Sequence, residues 1–72
     1  MAFDFRKLRG RIKELFGSEK AFAEAMEMAP SNLSARLNGK IQWGAVEIKR
    51  ASDLLKIPDG EVVAYFFTPE VR

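Results

Sequence analysis

Glycine and proline divide this 72-residue chain into short segments, each long enough for only a brief helix or strand. The breaks are Gly17, Pro30, Asn38-Gly39 and Pro58. Between them, apolar residues recur every three or four positions, which gives a helix one apolar face. The pattern predicts an all-α fold of five short helices around one shared core, in a single domain over residues 1–72.

The same punctuation predicts where each helix lies. The expected helices are one that ends near Gly17, a second capped by Ser18, a third from Pro30 to Asn38-Gly39, a fourth over 45–56 and a fifth over 61–67. The last segment is rich in β-branched and aromatic residues, which also suit an edge strand. We favour a helix there, followed by a frayed end over 68–72.

Composition excludes several kinds of site. The chain has no cysteine and no histidine, so disulfides, thiolate zinc sites, cysteine nucleophiles and histidine bases are ruled out. No apolar run approaches the ~18–20 residues that a membrane span needs. We therefore expect a soluble, intracellular and non-enzymatic binding module, with no cofactor, metal, membrane or small-molecule substrate as a partner.

Charge is distributed unevenly along the chain, although the net charge is only +2. Residues 6–13 hold five basic side chains and no acidic one, residues 14–30 are acidic, and residues 31–50 are basic again. Two basic stretches around an acidic one can form a phosphate-binding footprint. Solvated helix faces would give the same pattern, and the sequence leaves both interpretations open.

The third helix has few residues that can belong to a core. Leu33 and Leu37 form its inward pair, so most of its circumference is expected to be exposed. The outward positions hold small or hydrogen-bonding side chains suited to the edges of bases in a major groove: Ser31, Asn32, Ala35 and Arg36. We expect Arg36 to have few structural duties. The helix is followed by Asn38, Gly39 and Lys40. Their amide, backbone N–H and ammonium groups could hold one phosphate at the end of the helix.

Residues 18–40 resemble the helix-turn-helix of phage repressors and Cro proteins, the lambda-repressor-like class. The matching positions are Ser18, Ala23, Met28, the run Ser31-Asn32-Leu33-Ser34 and the ending Leu37-Asn38-Gly39-Lys40. The resemblance implies a compact five-helix domain with a helix-turn-helix unit at about 18–38 and a recognition helix at about 30–38. It also implies a dimer on a pseudo-palindromic operator, in the cytoplasm of a bacterial host cell.

The resemblance further implies roles for individual residues on operator DNA. Ser31, Asn32 and Arg36 become candidate base readers, and Ala35 permits close approach to the groove. Ser18, Asn38 and Lys40 become candidate phosphate contacts, joined by part of the basic stretch 6–13. The main hypothesis is therefore a sequence-specific transcriptional regulator of the phage Cro or repressor type.

The alternative hypothesis is an antirepressor that binds a partner repressor and alters its operator binding. Helix two carries Glu19 and Glu24, and Glu27 follows where the family's turn usually has glycine. These acids could complement a basic DNA-binding surface. A left-handed Glu27 would cost of the order of 1 kcal/mol.

The apolar C-terminal segment offers a second docking surface for the same partner. Its candidate residues are Tyr65, Phe66 and Phe67, which together exceed what one small core can absorb. Trp43 is expected to pack as a lid on the core. A homodimer and a heteromer with the repressor both remain open.

Overall fold

The computed structural model describes residues 3–70. Within these residues the chain forms five α-helices and one 3₁₀ helix, and the prediction of an all-α fold is confirmed. The helices are α1 (Arg6–Phe16), α2 (Glu19–Ala25), α3 (Pro30–Leu37), α4 (Ala45–Leu54) and α5 (Val62–Phe66), with the 3₁₀ helix (Asp59–Glu61) immediately before α5. The C-terminal segment is thus helical, as favoured from the sequence.

Local signals in the sequence explain most of the helix boundaries. The Ser18 hydroxyl accepts a hydrogen bond from the Ala21 N–H (3.1 Å) and caps α2. Pro30 occupies the first turn of α3, where its missing N–H costs nothing. Gly17 and Gly39 end α1 and α3 with φ of +81° and +77°, a left-handed backbone that glycine adopts easily.

Helix α4 is shorter than predicted. Its regular part ends at Leu54, because Lys56 takes a left-handed φ of +54°. The Ile57 N–H then turns back to the Ser52 carbonyl (2.9 Å), which closes the helix before Pro58. A lysine at this position gives no signal in the sequence, whereas glycine would have marked the stop.

One apolar core joins all five helices. The helices contribute the buried side chains Leu8, Ile12, Phe22, Ala23, Leu33, Leu37, Ala51 and Phe66, and Phe5, Met26, Leu55 and Ile57 join them from the connecting segments. Trp43 packs on this core with its ring edge-on to Phe66 at 5.1 Å, as the prediction of a lid requires. In the part of the chain described, no helix is long and apolar enough to cross a bilayer.

The two ends of the described chain lie side by side. The Asp4 N–H donates to the Thr68 carbonyl (2.7 Å), and Phe3 and Pro69 form an isolated antiparallel bridge. The expectation of a frayed end from residue 68 is therefore wrong for residues 68 and 69. Residues 71 and 72 lie outside the described residues.

Candidate interaction surface of the α2–α3 unit

Helices α2 and α3 are joined by a tight turn that brings the predicted site residues onto one unit. After α2, the Met28 N–H bonds to the Ala23 carbonyl and the Glu27 N–H to the Glu24 carbonyl, both at 3.0 Å. This pair of bonds is the Schellman helix ending, which needs a left-handed residue at its centre. Glu27 supplies it with φ of +58°, so Glu27 takes the left-handed backbone considered from the sequence.

The outward face of α3 is largely exposed to solvent, as expected from the sequence. Leu33 and Leu37 are buried, while Ser31 and Asn32 are exposed and Ala35 is half-buried. The helix ends in a second Schellman motif, in which the Lys40 N–H bonds to the Ala35 carbonyl at 2.9 Å. Asn38 and Lys40 are exposed beyond it. The helix therefore presents hydroxyl and amide groups to solvent.

The expectation that Arg36 has few structural duties is wrong. Its Nε donates to Glu47 Oε1 (2.8 Å) and its Nη2 to Glu47 Oε2 (2.7 Å), so α3 is tied to the first turn of α4. Only 15% of the Arg36 side chain is exposed, against 30% for Glu47. Arg36 has a clear structural duty, because it pairs with a carboxylate of its own chain.

The Arg36–Glu47 contact keeps both partners ionised. The hydrogen bonds from Arg36, reinforced by one from the Gly44 N–H, hold the pKa of Glu47 below its ordinary value. Hydrogen bonding to Glu47 raises the pKa of the guanidinium. Because Arg36 is the only charged residue of α3, this pair neutralises the helix that the sequence assigned to DNA.

A second arginine joins α1 to the same unit. Arg9 Nη1 contacts Glu19 Oε2 at 2.7 Å, and Arg9 Nη2 donates to Asn38 Oδ1 at 2.8 Å. Asn38 in turn donates to the Ser34 hydroxyl at 3.3 Å. Glu19 was predicted to contact a partner and Asn38 a phosphate. Both instead bind the guanidinium of Arg9.

Other basic side chains of α1 also have intramolecular partners. Arg6 pairs with Asp4 at 2.6 Å, and its hydrogen bonds lower the pKa of that carboxyl group. Arg11 Nε donates to the Leu55 carbonyl at 2.9 Å, and Lys7 Nζ lies 4.8 Å from the centre of the Tyr65 ring. Most of the basic side chains of residues 6–13 therefore have partners within the chain, which counts against the phosphate-binding footprint.

The acidic side of the unit remains open to solvent. Glu24 and Glu27 are exposed, whereas Glu19 is half-buried against Arg9. Arg50 supports the strained turn, since its Nη1 donates to the Met26 carbonyl (3.3 Å) and lies 3.8 Å from a Glu27 carboxylate oxygen. Two of the three predicted acidic contacts are thus available to a partner.

An apolar groove of about 240 Å³ lies beside the end of α3. Its rim includes three exposed apolar side chains, Phe3 (39%), Ile41 (42%) and Phe67 (41%). Phe66 also lines the groove but is only 1% exposed and belongs to the core, so it offers almost no surface to a partner, contrary to its assignment. Tyr65 is half-buried below Lys7.

Sequence reasoning did not identify two of the groove residues. Phe3 precedes α1 and Ile41 follows α3, so neither belongs to a periodic apolar pattern that marks a helix face. The only signal for these two residues in the sequence is that each is a large apolar residue outside a helix. Within residues 3–70, no three acidic side chains come close enough together to hold a metal ion.

Comparison with known proteins defines the family. A family model described as "Protein of unknown function (DUF739)" matches residues 1–69. The chain belongs to this family. This DUF739 chain is also similar to a protein of known structure. That protein is the modulator of repression (MOR) of the temperate bacteriophage TP901-1 from Lactococcus lactis, determined in solution.

The likeness to the phage modulator extends over the whole DUF739 chain. The two chains are 33% identical with a TM-score of 0.83, and the match covers 100% of this chain and 97% of the other. The search of curated proteins gave no match. These findings show the DUF739 family and a structural likeness to the TP901-1 modulator, and they do not support the assignment to the lambda-repressor and Cro class.

Proposed function

We propose that this protein is a modulator of repression, which binds a partner repressor and alters the repressor's use of its operator. The proposal rests on the likeness to the TP901-1 modulator, at 33% identity over the entire chain. It describes a binding protein rather than an enzyme, acting in the cytoplasm of a bacterial host. The antirepressor hypothesis from the sequence is thereby preferred to the Cro-type hypothesis.

The charges of the α2–α3 unit support a protein partner over DNA. Arg9 and Arg36 are paired with carboxylates of the chain itself, at 2.7 Å in both cases. Glu24 and Glu27 are exposed on the same unit. Paired arginines are less available to phosphates, whose neutralisation drives DNA binding, and the exposed carboxylates can attract the basic surface with which a repressor holds its operator.

The apolar groove supplies a second contact for the same partner. Phe3, Ile41 and Phe67 expose about two-fifths of their area each at its rim. Apolar side chains that fill such a pocket commonly account for much of the binding energy of an interface. We propose that an apolar side chain of the repressor occupies the groove, while Glu24 and Glu27 contact its basic residues.

Operator binding of the Cro type is the second candidate. It is favoured by the exposed Ser31 and Asn32, which have the hydrogen-bonding groups needed to read base edges. Ser18, Asn38 and Lys40 are exposed as well. In this candidate the chain contacts operator DNA directly, either alone or beside the repressor.

One double variant separates the two candidates. Glu24→Lys with Glu27→Lys reverses the exposed acidic charges and keeps the Arg9–Glu19 pair. Titration calorimetry against the repressor encoded in the same genome should then show binding about tenfold weaker, which corresponds to ~1.4 kcal/mol. Under the DNA-binding candidate, the same variant should instead bind an operator duplex more tightly.

The matched control is Asp59→Lys with Glu61→Lys, which reverses two exposed acids of the 3₁₀ helix. It has the same net charge but leaves the α2–α3 unit unchanged. Repressor affinity that drops equally in both double variants, or in neither, would contradict the proposed acidic contact.

A further inference from the structure

Each of the three nitrogens of the Arg36 guanidinium donates a hydrogen bond within this chain. Two parallel hydrogen bonds join its Nε and Nη2 to the two oxygens of Glu47, at 2.8 and 2.7 Å. The remaining nitrogen, Nη1, donates to the Asn32 carbonyl at 3.1 Å. The two-pronged bond to Glu47 has the geometry with which arginine grips a phosphate or the O6 and N7 atoms of guanine.

Glu47 is itself held in place for this contact. Its Oε1 accepts the Gly44 N–H at 2.9 Å, the reciprocal half of a capping box at the start of α4. A carboxylate is also favoured there by the positive end of the helix dipole. The acceptor that binds Arg36 is therefore fixed by α4 before any ligand arrives.

We propose that Glu47 is a specificity-determining residue that prevents α3 from binding nucleic acid. Its carboxylate binds the Nε and Nη2 groups of Arg36, which could otherwise bind a phosphate or a guanine edge. If Arg36 turned toward DNA, it would break two charge-assisted hydrogen bonds and leave an unpaired carboxylate close to phosphates. This role goes beyond repressor binding, and its test uses DNA alone, so either proposal can fail without the other.

Glu47→Gln tests the role directly. Glutamine can still accept the Gly44 N–H, but it no longer carries the charge that holds Arg36. We expect the variant to bind a random-sequence DNA duplex more tightly than the unmodified protein does, in fluorescence anisotropy at about 50 mM salt. One added phosphate contact should increase the affinity lost between about 50 and 200 mM salt by a further factor of about 3.5.

Two variants attribute any gain to Arg36. Glu61→Gln makes the same change in net charge on the exposed 3₁₀ helix, and it should not reproduce the gain. Arg36→Gln added to Glu47→Gln should abolish it. The proposal is overturned if Glu47→Gln binds no more tightly than Glu61→Gln, or if the double variant keeps the gain. Circular dichroism establishes that each variant is folded.

Arg36→Gln in the otherwise unmodified protein gives an independent measurement, which does not require Glu47 to be replaced. Because Arg36 is already occupied and contacts no phosphate, this variant should keep the salt dependence of the unmodified protein, even where the unpaired Glu47 lowers its affinity for DNA. A loss of DNA affinity, accompanied by a shallower salt dependence, would mean that Arg36 reaches DNA despite Glu47 and would refute the proposal.

Discussion

Arg9 and Asn38 are 29 positions apart in the sequence, yet Arg9 Nη2 donates to Asn38 Oδ1 at 2.8 Å. The other arm of the same guanidinium contacts Glu19 at 2.7 Å. One side chain of α1 thus holds the first turn of α2 and the end of α3. Because its partners lie on both helices, Arg9 stabilises the relative placement of the α2–α3 unit.

Replacement of Arg9 by glutamine should weaken the fold slightly. The Arg9–Glu19 pair is partly exposed, and such pairs contribute about 0.2–1 kcal/mol. Urea unfolding of Arg9→Gln should show a loss in this range, smaller at high salt. A double-mutant cycle with Glu19→Gln isolates the pair. A coupling energy of zero at low salt would mean that the contact adds nothing to stability.

Glycine at position 27 should stabilise the protein. Glu27 has φ of +58°, and a left-handed backbone costs roughly 1–2 kcal/mol for a residue with a side chain. Glycine avoids this cost but loses more entropy on folding, so we expect a net gain of about 0.5–1 kcal/mol for Glu27→Gly. Thermal unfolding measures the change.

The matched control for that variant is Glu24→Gly, which removes the same side chain within α2. There glycine should destabilise the protein by about 1 kcal/mol, because the backbone is helical. If both variants lower stability equally, the left-handed strain assigned to Glu27 is refuted.

Alanine should have opposite effects at two glycines. Gly39 has φ of +77° and Gly10 lies within α1, and a Cβ at either would meet no atom within 4 Å. The backbone alone therefore decides the outcome. We expect Gly39→Ala to lose about 1 kcal/mol and Gly10→Ala to gain about 0.5–1 kcal/mol in urea unfolding. Changes of the same sign would contradict this account.

Acid should weaken the contact between α3 and α4. The pKa of Glu47 in the folded protein lies below its ordinary value of 4.5, so the unfolded chain takes up this proton first as pH falls. The pair's stabilisation is complete above about pH 4.5 and is lost as pH falls through the folded value.

Glu47→Gln should remove that part of the pH dependence. At pH 7 the variant should be less stable than the unmodified protein, and the difference in unfolding free energy should shrink as the buffer is acidified toward pH 3. Asp4 retains its own acid dependence in both proteins. A difference that stays constant across this range would show that the Arg36–Glu47 charges do not contribute.

The helices could be predicted because their signals are local. Ser18 caps α2, Pro30 opens α3 and Gly39 ends it, and each acts through a backbone conformation that one residue determines. Local signals fail at Glu27 and Lys56, which end α2 and α4. Each residue takes a left-handed backbone that disfavours its side chain, because a Schellman ending requires that conformation.

The site was less predictable because its contacts are not local. Exposed polar positions such as Ser31 and Asn32 followed from the two-leucine pattern of α3. The partner of Arg36 did not, since Glu47 lies eleven positions away on another helix. Arg11 likewise reaches the Leu55 carbonyl across 44 positions. The sequence alone does not show whether basic side chains in a cluster face solvent or pair with carboxylates of the same chain.

Phe3 and Phe67 meet edge to face with their ring centres 5.6 Å apart, although they come from opposite ends of the described chain. The apolar groove therefore has both walls only after residue 67 has emerged from the ribosome. A partner that requires this groove therefore cannot bind a nascent polypeptide that still lacks residue 67.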